Sequence, residues 1–147
     1  MEFELTPEQE QLQQAAIEFA RATLASRSIE ADRSEEFSRE SWRSCADFGV
    51  FGMPIPVQYG GLGLGLSPLL AVMEGLGYGG RDQGLLFSIN AHLWTNSLPI
   101  LAYGTDEQRT RYLPGLSSGE LIGANAASEP NSGSDIYSMA TTAVHRD

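Results

Sequence analysis

The strongest constraint on the fold is the stretch 67–76, Ser-Pro-Leu-Leu-Ala-Val-Met-Glu-Gly-Leu. Ser67-Pro68 reads as a helix opening, because proline's fixed φ suits the first helical turn. Leu69, Leu70, Val72, Met73 and Leu76 then leave almost no polar face. A helix that is apolar nearly all round has to be enclosed by others, so this stretch predicts a central, buried helix in a helical domain.

The flanking sequence supplies the enclosing helices. Thr6-Pro7-Glu8-Gln9 is a capping box with proline at the first helical position, and Leu12, Ala16, Phe19 and Thr23, with Ala15 and Ala20 beside them, follow at helical spacing. The pattern is lost over 25–37. A second helix is expected from Ser38, with Trp42, Cys45 and Ala46 inward and Gly49 as its stop. Asp82 is the expected cap of a helix carrying Leu85, Leu86, Phe87, Ile89, Leu93 and Trp94, and Ser97-Leu98-Pro99 begins a short helix ending at Tyr103-Gly104. Thr105-Asp106-Glu107-Gln108 is a second capping box, whose helix is expected to run to Leu113 and break at Pro114.

Two glycine-rich stretches invite ligand-binding readings. Tyr59-Gly60-Gly61-Leu62-Gly63-Leu64-Gly65, which follows an apolar connector over 50–56, reads more readily as a structural crossover than as a channel lining. Gly75-Leu76-Gly77-Tyr78-Gly79-Gly80 matches GxGxxG. A dinucleotide fingerprint needs a strand before the first glycine and a parallel sheet around it. Here a helix precedes it, so these glycines are expected to stop that helix and make a tight turn.

Charge narrows the function further. Nineteen acidic residues face nine basic ones, all arginine, for a net charge of −10. Such a surface repels nucleic acid and anionic lipid, so neither is expected as a partner. The opening Met1-Glu2-Phe3-Glu4-Leu5 lacks the basic and apolar regions of a secretory leader, which predicts a cytoplasmic setting. Cys45 is the only cysteine and has no metal-ligand spacing around it; no metal site is expected, and Cys45 reads as a core residue. His92, in an apolar run without a carboxylate or nucleophile at helical spacing, reads as a hydrogen-bonded core or interface residue rather than a base.

After Pro114-Gly115 the character changes. Leu121 to Ala127 reads as extended, and Met139 to Val144, rich in Thr and Val, reads as another strand. Between them, Ala124-Asn125-Ala126-Ala127-Ser128-Glu129-Pro130-Asn131-Ser132-Gly133-Ser134-Asp135 runs into a polar corner rich in N–H donors and hydroxyls, a place to hold an anion. The fold class is thus mainly α: about six helices over 1–116, then the first strands of an incomplete β domain over 117–147.

Several stretches in order resemble the N-terminal part of an acyl-CoA dehydrogenase. They are Leu5-Thr6-Pro7-Glu8-Gln9, Phe48-Gly49-Val50-Phe51-Gly52, Pro56-Val57-Gln58-Tyr59-Gly60-Gly61, Tyr103 to Gln108, Tyr112-Leu113-Pro114 and Ser128 to Asp135. The resemblance covers the whole chain and about the first two-fifths of a typical member. It implies FAD as cofactor, an acyl thioester as substrate, and a reaction in which a carboxylate takes the α-proton while the β-hydride passes to the flavin. That carboxylate belongs to the family's C-terminal part, so no catalytic residue is expected here and the motif glutamate, Glu129, is expected to be structural. Asn125, Ala126, Ala127, Ser128, Gly133 and Ser134 correspond to the flavin-binding strand and turn. Backbone groups of Ala127 and Ser128, with the Ser128 hydroxyl, would face the flavin's pyrimidine edge. Gly133 N–H and the Ser134 hydroxyl would meet the pyrophosphate, with Ser134 also near substrate. The family usually has an aromatic residue in place of Asn125 and Thr in place of Ser128.

The resemblance further implies completion by the remainder of the enzyme, as the same polypeptide or a second chain, and a homo-oligomer when complete. The region 79–91 resembles a bacterial subgroup of secondary metabolism in which the acyl group rides on a carrier protein. Two alternatives stay open: a flavin-dependent monooxygenase or oxidase of the same fold, and a truncated, non-catalytic assembly module.

Overall fold

The computed structural model describes residues 4–26 and 28–144; residues 1–3, read above for a leader, lie outside that range. Among the described residues six helical rods form. α1 (Pro7–Phe19) continues through a π-helical turn, Ala20–Leu24; α2 is Ser28–Ser34, α3 Arg39–Phe48 and α4 Leu66–Gly79. α5 (Gln83–His92) continues through a second π turn, Leu93–Ser97, into α6 (Leu98–Tyr103), and α7 is Asp106–Ser117.

The helix starts follow local chemistry. Thr6 and Gln9 exchange their side-chain and backbone hydrogen bonds at 3.3 and 2.9 Å, and Thr105 and Gln108 do the same at 3.2 and 2.8 Å. Ser38 accepts from Ser41 N–H and Asp82 from Leu85 N–H, and Gly49 ends α3 at φ 91°. Three features depart from the sequence expectation. The region 25–37 holds the short helix α2. Pro114 lies inside α7, where Leu113 and Leu116, both buried, hold the turn despite the missing N–H. Pro99 sits in a continuous rod because the π turn before it widens the helix, with Leu98 N–H reaching back to Leu93 O.

The glycines of 75–80 do not make a turn. Gly75, Gly77 and Gly79 lie within α4, and only Gly80 caps it. A Cβ at Gly75 would stand 2.5 Å from Gln13 O and 2.9 Å from Ala16 Cβ; one at Gly79 would stand 2.5 Å from Ile17 O. Their absence of side chains lets α4 seat directly on α1, opposite Ala16 and Ala20. Leu69, Val72 and Leu76 are fully buried, whereas Leu66 and Leu70 on the other face are 47% and 56% exposed. The helix predicted to be enclosed is therefore covered on one side among the described residues.

The rest of the core comes from the connector after α3. Val50, Phe51 and Ile55 are fully buried, and Phe51 stacks on Trp42 with centroids 4.3 Å apart. The glycine-rich loop folds back on this connector: Leu62, Gly63 and Leu64 donate to the carbonyls of Gly52, Ile55 and Met53, each at 2.8 Å. That is a structural crossover, as expected. Beyond α7, neither 121–127 nor 139–144 enters a ladder among the described residues, and the isolated antiparallel bridge Glu129↔Ser132 is the pairing present. Two strand-like segments without neighbours do not make a sheet. No described helix is long and apolar enough to cross a membrane.

Candidate functional site

The backbone leaving α7 is pinned before it reaches the corner. Gly119 takes φ 71°, and its carbonyl accepts from Trp42 Nε1–H at 2.9 Å. His92, at the end of α5, is fully buried. Its Nδ1 accepts from Gly123 N–H at 3.1 Å, so Nε2 carries the proton and donates to Leu116 O at 3.0 Å. Burial lowers its pKa below the ordinary 6.5, opposed only in part by the Leu116 carbonyl. A neutral ring with both nitrogens engaged is a core residue, as expected, and has no free edge for catalysis. Cys45 is likewise inert: burial first, and the Asp82 charge second, push its thiol up to about 12.

Past Gly123 the chain becomes exposed. Asn125, Ala126 and Ser128 lie open and Ala127 is half-buried. Glu129 and Ser132 then pair through two backbone hydrogen bonds, 2.8 and 3.1 Å, with Pro130-Asn131 as the turn between them. Ser132 is buried and its hydroxyl donates to Asp135 O; the Ser138 hydroxyl donates to the Asp135 carboxylate. Ser128 and Gly133 directly flank the bridged pair, so the two halves of the candidate site, 125–128 and 133–134, enter and leave the same turn.

Glu129 ties this turn to the chain downstream. Its carboxylate accepts from Ala140 N–H and Thr141 N–H, each at 2.8 Å, and from the Thr141 hydroxyl. The hydroxyl first, then the two amides, hold its pKa below the ordinary glutamate value. A carboxylate with three donors is a poor base and a good clamp. Because the folded form lowers its pKa, its contribution to the corner is present above the ordinary value and is lost as pH falls through the folded one. Acidification below the ordinary glutamate range is expected to release hydrogen-exchange protection at the Ala140 and Thr141 amides before the helices respond. Glu129→Ala, which removes both acceptor oxygens, is expected to release both at neutral pH; unchanged protection in that variant would remove the clamp.

On the open side of the corner, Gly133 N–H, Ser134 N–H and the Ser128 and Ser134 hydroxyls have no partner among the described residues. A Cβ at Gly133 would meet nothing within 4 Å. This donor set fits a polar, anionic ligand without requiring net positive charge. Sequence reasoning did not find Trp42, Ala140 or Thr141 as supports. An inward tryptophan announces a need for an acceptor but not its identity, and Ala140 acts through its backbone, which carries no sequence signal.

The description "Acyl-CoA dehydrogenase, N-terminal domain" fits residues 6–120. Mitochondrial isovaleryl-CoA dehydrogenase of Pongo abelii is 44% identical over 137 residues, covering 92% of this chain and 32% of the relative. L-prolyl-(peptidyl-carrier protein) dehydrogenase of Serratia sp. is 38% identical over 143 residues, covering 97% and 37%. Among solved structures, "PigA with FAD and proline" superposes with a TM-score of 0.87 at 38% identity, covering 95% of this chain and 36% of that one. The chain thus spans about a third of the length of these relatives. Its helical architecture and these matches together place it: the chain belongs to the acyl-CoA dehydrogenase family and carries that family's N-terminal helical domain.

Proposed function

We propose that this chain is the N-terminal part of an FAD-dependent dehydrogenase that introduces an α,β double bond into an acyl thioester of CoA or a carrier protein. The observation that carries the reading is the corner at 125–134, where unpartnered backbone and hydroxyl donors surround a tight turn held from both sides. Gly133 N–H and the Ser134 hydroxyl hold the pyrophosphate, and Ala127 and Ser128 meet the pyrimidine edge. Asn125 and Ala126 line the approach, and Ser134 also borders the thioester. When bound, FAD supplies the hydride acceptor. The base that takes the α-proton comes from the remainder of the enzyme, since Glu129 is committed to Ala140 and Thr141.

The division into a helical unit, 1–116, and the start of a β unit, 117–147, goes with this reading and is supported by α7 ending at Ser117. A cytoplasmic setting goes with it as well, since the one thiol is buried and needs no oxidising compartment. The complete enzyme is a homo-oligomer.

The test uses the complete enzyme, this chain together with its remainder. It is expected to be yellow and to bleach anaerobically with either an acyl-CoA or a carrier-bound acyl thioester. Ser134→Ala is expected to weaken FAD binding about tenfold, the size of one charge-assisted hydrogen bond. A colourless enzyme that takes up no FAD overturns the proposal, and an unchanged FAD affinity in the variant overturns the placement of Ser134.

A further inference from the structure

We infer that His92 is a positioning residue for the corner: together with Trp42 it staples the segment 116–123 to the helical core and so fixes where 125–134 begins. The inference rests on the proposal that this corner binds FAD. Three backbone groups of that segment are held by two buried rings: Leu116 O and Gly123 N–H by His92, and Gly119 O by Trp42. The rings brace one another, Trp42 against His92 edge to face at 5.2 Å and Phe51 against His92 at 4.9 Å. The segment also has no room to shift toward the helices, since a Cβ at Gly123 would stand 2.6 Å from Asn96 and one at Gly119 2.9 Å from the Phe51 ring. Gly123 lies two residues before Asn125, so a slip at the staple is delivered to the site almost undamped.

The chemistry selects histidine. One group has to donate to a carbonyl at one edge and accept from an N–H at the other, and the Nε2-protonated imidazole does both inside a dry, aromatic pocket. The two functions separate in substitution. His92→Asn keeps an acceptor near the Nδ1 position and loses the donor to Leu116. His92→Gln keeps a donor near the Nε2 position and loses the acceptor for Gly123.

The complete enzyme with each substitution is compared by hydrogen exchange at the Gly123 amide and by FAD affinity from fluorescence quenching, with helical content followed by circular dichroism. His92→Gln is expected to speed Gly123 exchange and to weaken FAD binding, each by about tenfold, while His92→Asn keeps both within about threefold of the parent. Trp42→Phe, which keeps a ring and removes only the donor to Gly119, is expected to weaken FAD binding as well, and it decides the matter should His92→Gln not fold. Equal FAD affinities across the folded variants, or losses that track global stability without regard to Gly123 exchange, overturn the inference. A parent enzyme that binds no FAD overturns the proposed function instead, while Gly123 exchange in the variants still reports on the staple.

Discussion

Gly75→Ala is expected to destabilise the helical domain by about 2 kcal/mol, while Gly77→Ala, two residues along the same helix, stabilises it by up to about 1 kcal/mol. The two sites share a helix and a propensity gain, and differ in what a methyl group meets. At Gly75 it meets the backbone of α1, Gln13 O at 2.5 Å, which cannot swing aside as a side chain can. Forcing the helices apart costs about 3 kcal/mol, and the better helix propensity of alanine returns about 1. At Gly77 nothing lies within 4 Å, so only the propensity gain is left. Urea denaturation of the two variants measures the difference directly. Equal shifts of the same sign would mean that α4 does not seat on α1 as described.

Phe51→Ala is expected to cost about 4 kcal/mol, a large share of the stability of a domain this size. Its ring is fully buried, stacks on Trp42 and meets the edge of His92. Removing it leaves a cavity and also unsupports the two rings that pin the segment 116–123. Loss of stability is therefore expected together with faster exchange at Gly123, whereas Phe51→Leu, which keeps most of the volume, costs about 1.5 kcal/mol or less. A Phe51→Ala protein within about 1 kcal/mol of the parent would contradict its place in the core.

What could be read from the sequence was what is local. The helix starts at Thr6, Ser38, Asp82 and Thr105 depend on a side chain and an amide three residues away, and all four are present. Locally Gly75 and Gly79 signal helix stops, and the contact that keeps them helical comes from α1, some sixty residues earlier in the chain. Phe51 sits in an apolar connector with no periodicity, so its composition points to burial while nothing local assigns its partners. Pro114 signals a break in the sequence, and the burial of Leu113 and Leu116 that overrides it is a tertiary fact. In the candidate site, a polar corner over 128–135 is legible in the composition, whereas the bridge that closes it between Glu129 and Ser132 is not. The partners of the Glu129 carboxylate are not legible either, since they are amides eleven and twelve residues downstream. The segments 121–127 and 139–144 have strand composition, but pairing is a property of neighbours and cannot be read from either segment alone.

Cys45 gives the chain a built-in clock. It is the only cysteine in the sequence, it is fully buried on α3, and its thiol is held at about 12, so at neutral pH there is neither access nor thiolate for an alkylating reagent to find. Modification then proceeds only through moments when α3 parts from the core, and its rate reports how often that opening occurs.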